Sequence, residues 1–311
     1  MSKINIFITG STGCVGSYVF DELIKNSSYK LHLLAKTPGK LRINEAQKEN
    51  VVPIHSSLYS ISEFKDLLQE MDYVIHIATV WGGRACWDIN FEKTMEFFSL
   101  LNPQRCRKII NFSTASILTD NNELISQSVV EQATGYIETK YRLYQQMKSL
   151  PIASKITTLF PTLVMGGGYG HSISHINSGL KTAAKYIKLL RYFTADSQFH
   201  HIHGQDIALV INYLLENDNH DNNLVLGNDI ISADYIIETL SKVKGVNRSF
   251  KLDITDGITK YFPQLLNMSP WQKYSLEKRH FVYNTVNTKT FGIDSPYQDF
   301  EYCVRDCLGL I

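Results

Sequence analysis

The sequence predicts an α/β fold, a doubly wound parallel sheet with a smaller C-terminal lobe. Three observations carry that prediction. Short, mostly apolar runs alternate with longer segments of helical period from residue 4 to the middle of the chain. Three glycines, Gly10, Gly13 and Gly16, directly follow the first run. After Gly170 the alternation loosens.

The first run, residues 4–8, leads through Thr9 into the glycines. Val15, Val19, Leu23 and Ile24 then recur at helical spacing and place an apolar stripe on one side of a helix. Further runs lie at 31–34, 51–54, 73–77, 108–112 and 156–159. Each is bounded by polar or turn residues, the pattern of a strand buried on both faces. Phe91, Met95, Phe98 and Leu101 form a second helical stripe between the fourth and fifth runs. Beyond Gly170 the pattern predicts helices over 178–192 and 206–215, a strand at "NLVLGN" and a helix starting near Ser232. The tail from Leu252 is rich in aromatic and charged residues and is interrupted by Pro263, Pro270 and Pro296.

The chain has 311 residues and a formal net charge of +1. With no basic or acidic block, it suggests no nucleic-acid or membrane surface, and a small molecule is the expected partner. Cys14, Cys86, Cys106, Cys303 and Cys307 are scattered and form no CxxC pair, so free thiols in a reducing compartment are expected and no metal site. The N-terminus lacks an apolar leader, and no run of about 18 apolar residues follows, so a cytoplasmic location is expected.

A strand, a glycine turn and a helix in that order suit a dinucleotide pyrophosphate at the helix N-terminus. The first glycine allows the tight turn, the second lets backbone approach phosphate, and the third lets helix and strand pack closely. The spacing is GxxGxxG, and no Gly-Lys-Ser/Thr accompanies it. "TGSTGCVG", residues 9–16, resembles the TGxxGxxG signature of the extended short-chain dehydrogenases/reductases, the branch that includes the NAD-dependent epimerase/dehydratase family. Four further stretches resemble that branch in order: "DYVIHIAT" (72–79), "NFEKT" with Asn90 and Thr94, "FPTLVMGGGYG" (160–170) and "FHHIHGQDIA" (199–208).

The resemblance implies a Rossmann-like domain over 1–165, with 199–228 returning to it, and a substrate lobe from 166–198 and 229–311. It implies Gly10, Thr12, Gly13, Cys14, Val15 and Gly16 around the pyrophosphate, with Ala78, Lys140 and Pro161 along the rest of the cofactor. It also allows a homodimer through the helices around the fourth and fifth strands.

Hydride transfer to a carbonyl needs a group that delivers a proton to the oxygen, and a tyrosine does this near neutral pH when a cation lowers its pKa. Tyr136 and Lys140 in "YIETK" stand four apart and share a helix face, but Tyr144 with Lys148 and Tyr274 with Lys278 have the same spacing. Position favours the first pair, which follows the fifth strand and its "FSTAS" end, where the resembled family keeps its YxxxK pair. The same likeness gives Thr114 the place of the catalytic Ser/Thr that holds the substrate oxygen, Tyr136 that of the proton donor, and Lys140 that of the ribose ligand. Ser113 and Thr114 would point into the crevice outside the strand ends, although hydroxyls there also serve as caps. The tyrosine of that family stretch is replaced by Leu118.

At the end of the second strand an NAD site usually has an acid, but "LHLLAKTPGKLR" has Ala35 there, with Lys36, Lys40 and Arg42 nearby. Lys36 would pair with a 2′-phosphate, so NADP(H) is the expected cofactor, with NAD(H) the alternative. Ser57 stands in place of an adenine-contacting Asp, Phe160 in place of the Arg of RPxxvyG, and only Asp206 remains of a DD-like pair. His200, His201 and His203 read as a strand edge near the substrate lobe, not as a metal site. His171 and His175 fall in a glycine-rich loop and need not converge. Trp81, Gly82 and Gly83 read as either a border of the nicotinamide or substrate, or an apolar plug.

These readings combine into an oxidoreductase that moves a hydride between a nicotinamide cofactor and a carbonyl or hydroxyl carbon of a small molecule, foremost an NADPH-dependent reductase. A nucleotide-sugar epimerase or dehydratase is the second reading. "GYIETKYRLYQ" resembles a stretch of thioester reductases in the same branch and keeps that substrate open. A non-catalytic NADP(H)-binding sensor is the reading from another class.

Overall fold

From the N-terminus the chain runs β1 (Ile4–Thr9), α1 (Cys14–Leu23), β2 (Tyr29–Ala35), β3 (Val51–His55), α2 (Lys65–Gln69), β4 (Tyr73–His76), α3 (Ala85–Trp87), α4 (Lys93–Ser99) and β5 (Lys108–Phe112). Next come α5 (Gln127–Val130), α6 (Gly135–Gln146), β6 (Ile156–Pro161), β7 (Leu163–Met165), α7 (His175–Lys185), α8 (Ile187–Leu190), β8 (Phe193–Thr194) and β9 (Gln198–His203). The rest is α9 (Gly204–Glu216), β10 (Asn223–Leu226), β11 (Ile230–Ser232), α10 (Ala233–Val243), β12 (Leu252–Asp253), α11 (Pro270–Lys278) and α12 (Phe300–Cys307). This computed structural model describes residues 3–41, 43–133, 135–168, 170–248, 250–257, 260 and 268–311.

Seven strands form one sheet in the order β10-β6-β5-β4-β1-β2-β3, and every pair in it is parallel. Both faces are covered, as runs without polar alternation require. Ile6 and Ile8 face one core with Val19 and Leu23 of α1 and Ile207, Ile211 and Leu214 of α9. Phe7, between them, points the other way, into a core with Phe97 and Phe98 of α4. The fold is therefore a Rossmann-like α/β sheet, with each strand on its predicted run and only the ends shifted by a residue or two. A third core gathers Met165, Leu180, Ile187, Leu240 and Val304 around a three-stranded sheet of order β11-β9-β7.

Two expectations are corrected. The helix expected over 178–192 is two helices. Ser174 caps the first by accepting from the Asn177 N–H at 3.0 Å, so it begins at His175, and the backbone leaves helical values at Tyr186. Leu180, Ala184 and Ile187 share one core across that break. The second correction concerns β9, which is the central strand of its sheet and not an edge, with His200, His201 and His203 all buried. Its alternation sends His201 and His203 toward Phe300 and Tyr297, and His200 toward Tyr283. Pro263 lies outside the described residues. Among the described residues no helix is long and apolar enough to cross a membrane, and no group of three His, Cys, Asp or Glu converges on a metal position.

Candidate active site

A cleft of about 900 Å3 opens at the carboxyl ends of β1, β4, β5 and β6. Its floor is the turn between β1 and α1. Gly10 has φ +76°, and a Cβ there would lie 2.7 Å from the Ala78 nitrogen. A Cβ on Gly16 would lie 2.1 Å from the Gly10 carbonyl oxygen, so only glycine lets α1 start against the strand end. Gly13 is the N-cap of α1, no side chain caps the helix, and its first turn has no acid. The first-turn N–H groups are therefore left without a side-chain acceptor beside Thr12, Gly13, Cys14 and Val15, which line the cleft. Positive helix-end charge, unclaimed donors and backbone with no room for side chains are what a pyrophosphate needs. The Ser11 hydroxyl, buried beside the turn, also has no partner.

Behind this floor runs a buried chain of hydroxyls and an imidazole. Thr9 Oγ1 meets His76 Nδ1 at 2.9 Å, and Thr94 Oγ1 meets His76 Nε2 at 3.0 Å. Thr9 Oγ1 accepts the Ala78 N–H, and Thr94 Oγ1 donates to the Ile89 carbonyl. The bonds close with the proton on Nε2. Burial, with Lys140 adding repulsion, lowers the His76 pKa to about 3 and keeps the ring neutral. Asn90 exchanges two hydrogen bonds of 2.8 Å with the backbone of Val80, which fixes the segment carrying Trp81.

Trp81 is 59% exposed, so it borders the cleft and is not a buried apolar plug. Its ring stacks on Tyr136 with centroids 4.3 Å apart, and the His175 ring meets it edge-on. Tyr136 opens α6 and is buried. Thr114 caps the turn after β5, accepting from the Ser116 N–H at 3.3 Å and donating to Ser116 Oγ at 3.2 Å. Burial raises the Tyr136 pKa, while a hydrogen bond with Thr114 pulls it the other way. One turn along, Lys140 donates to the Phe112 carbonyl at 2.7 Å, and burial lowers its pKa to about 8. The expected lowering of Tyr136 by Lys140 is thus not what this arrangement gives. The ammonium is itself desolvated and engaged with backbone, and burial governs the phenol.

Thr114, Tyr136 and Lys140 line one cleft with Gly10, Thr12, Gly13, Cys14, Val15, Lys36, Ala78 and Pro161. Gly16 does not; it packs behind the turn. Ala35 ends β2 buried, Lys36 follows it exposed at the cleft, and Ser57 also lines it. Arg42 lies outside the described residues. Lys148 sits over the Tyr144 ring at 4.5 Å, and Tyr274 does not line the cleft. Phe160 packs edge-on against Tyr144, and Asp206 is buried with its carboxylate on the Ser295 hydroxyl. His171 stacks on Tyr18 while His175 faces Trp81, so the two do not converge. Sequence reasoning missed His76, Ser116 and Trp271 as parts of the site; only His76, a lone polar residue in an apolar run, left a local signal.

A model described as the NAD dependent epimerase/dehydratase family matches residues 6–227. Over 74 residues the chain is 31% identical to the decarboxylating sterol-4-alpha-carboxylate 3-dehydrogenase of Dictyostelium discoideum, covering 24% of this chain and 22% of that one. Among solved structures it resembles a UDP-N-acetylglucosamine 4-epimerase from Methanobrevibacter ruminantium in complex with UDP-N-acetylmuramic acid. That likeness has a TM-score of 0.70 at 16% identity and covers 100% of this chain and 98% of that one. It also resembles a dTDP-glucose 4,6-dehydratase from Bacillus anthracis in complex with NAD. There the TM-score is 0.70 at 14% identity, covering 99% of this chain and 96% of that one. At these identities the structural likeness is one of fold.

Proposed function

The chain belongs to the NAD-dependent epimerase/dehydratase family, and from that premise we propose that it reduces a carbonyl group of a small molecule with NADPH. One observation carries this reading within the family. Among the described residues lining the cleft there is no Asp or Glu, and Lys36 and Lys140 are the only Lys or Arg. A nucleotide sugar brings a diphosphate that calls for cations on the substrate side of the site, and Lys36 stands at the end of β2 instead. Eliminating water calls for a second acid–base group beside the proton donor, and no carboxylate there supplies one.

The site's own groups support a reduction. Tyr136, its phenol held protonated by burial, gives a proton to the oxygen that gains negative charge. Thr114, oriented by the Ser116 N–H, turns its hydroxyl to the same oxygen. Lys140 holds the nicotinamide ribose, and the Trp81 ring over Tyr136 keeps water from one face of the phenol. The cofactor, when bound, supplies the hydride. The substrate sits under the lobe built from 166–198 and 229–311, which brings His175 and Trp271 to the cleft. NADP(H) is preferred to NAD(H) because Lys36 lines the cleft beside Ala35 and, among the described residues lining it, no acid opposes a 2′-phosphate.

A nucleotide-sugar epimerase or dehydratase is the second reading, favoured by the structural neighbours named above. It returns its hydride, so net oxidation of NADPH by an added aldehyde or ketone separates the two. The expected outcome is net oxidation that falls at least about a hundredfold in Tyr136→Phe. Turnover of a UDP-sugar with no net NADPH consumption would overturn the proposal.

A further inference from the structure

The cleft does not end at Tyr136. A second chamber of about 180 Å3 shares Ser116, Pro161, Thr162, Leu163 and Trp271 with it, so the two spaces adjoin. Phe199, His200, Phe281 and Tyr283 form much of its remaining wall, and among the described residues no Asp, Glu, Lys or Arg lines it. The rings are held in place. Phe199 and Phe281 stack with centroids 6.0 Å apart and planes 8° apart. Lys278 Nζ lies 5.2 Å from the Phe281 centroid and 5.5 Å from that of Tyr283, and it is paired with Asp120.

Two polar groups of the wall, the His200 ring and the Thr162 hydroxyl, are engaged elsewhere. His200 Nδ1 donates to the Asn228 carbonyl at 2.6 Å while Nε2 accepts the Tyr283 N–H at 3.1 Å, so the ring offers the chamber no free nitrogen. The Thr162 hydroxyl donates to the Leu226 carbonyl. At the mouth, Ser116 Oγ accepts from Thr114, which places the entrance one hydrogen bond from the group that holds the reacting oxygen. An engineered apolar cavity of about 150 Å3 takes up benzene, so this chamber of about 180 Å3 has the volume for one ring.

We propose that the substrate's carbonyl carbon carries a single aromatic ring, which fills this chamber. The proposal rests on the reading that Thr114 and Tyr136 hold the reacting oxygen, and its test separates the two. Acetamide, benzamide and 2-naphthamide, carbonyl compounds that NADPH does not reduce, are titrated calorimetrically into the full chain with NADP+ present. Benzamide is expected to bind about tenfold tighter than acetamide, from the buried ring area, and tighter than 2-naphthamide.

Ser275→Phe, which puts a ring into the chamber, should abolish benzamide's advantage over acetamide, and Phe281→Ala should let 2-naphthamide overtake benzamide. Equal affinity of benzamide and acetamide in the wild-type chain, or an advantage that survives Ser275→Phe, overturns the proposal. NADPH oxidation by acetaldehyde and benzaldehyde then tests the underlying reading. Equal kcat/KM for both overturns the ring and leaves the reductase. Reduction of neither, with the benzamide preference intact, overturns the reductase and leaves the chamber.

Discussion

At the glycine turn the wall of the cleft is backbone: the Gly10 carbonyl lies where a Cβ on Gly16 would have to go, and α1 presents bare N–H groups. Around Tyr136 the wall is side chain, with Trp81 stacked on the phenol, Trp271 from α11, and Phe199 and Phe281 beyond. The first region offers a ligand atoms that every residue has, and at Gly10 and Gly16 it has no room for a Cβ. The second offers the substituents themselves, brought from segments that are far apart in the chain. A shared cofactor and a variable substrate call for that division.

Three changes would break or sharpen this contrast. Gly16→Ala should have the largest effect, because the atom it strikes is backbone and cannot turn aside. Overpacking of about 1–3 kcal/mol raises the Kd for NADPH about 5- to 150-fold, read by fluorescence titration with Tm followed alongside. An unchanged Kd would show that the turn does not depend on that close packing.

Lys36→Ala comes next. It should weaken NADPH binding about tenfold and leave NADH binding unaltered, the loss of one charged hydrogen bond. Equal losses for both cofactors would move Lys36 from the 2′-phosphate to the general field of the cleft.

The smallest effect lies away from the cleft, in the buried imidazoles. Burial lowers His201 to about 4 and His76 to about 3, below the ordinary value of 6.5. Unfolded chains therefore bind more protons between pH 6.5 and 4, and stability should fall as the pH is lowered through that window. His201 has neither ring nitrogen bonded, so His201→Leu should lower the proton uptake on unfolding by about one, read from urea midpoints against pH. An unaltered slope would show that His201 does not carry it.

The glycine turn and the residues that share its cleft were legible in sequence because their geometry is local. Gly10, Gly13 and Gly16 sit within one turn, and Tyr136, Lys140 and Thr114 follow from one strand end and one helix. The direction of the Tyr136 shift was not legible, since it depends on how deeply α6 is covered. Nor was the partnership of His76 with Thr9 and Thr94, which joins two adjacent strands and a helix. The aromatic chamber left no local trace: Ser116, Leu163, Phe199 and Phe281 share no periodicity, and only tertiary packing makes them one wall. The buried histidines of β9 were mistaken for an edge because strand order in a small mixed sheet is not written in any one strand.

The position of β10 in the large sheet bears on how the protein is made. Asn223 pairs with Thr158, so β6 stays an open edge until the chain has been extended through Leu226. At ribosomal rates the roughly 65 residues from the end of β6 through β10 take about 3 to 13 s to appear. During that interval an apolar strand has unsatisfied backbone on one side, a template for pairing with a neighbouring nascent chain. Truncation before β10 would make that interval permanent, and the product would be recovered as aggregate.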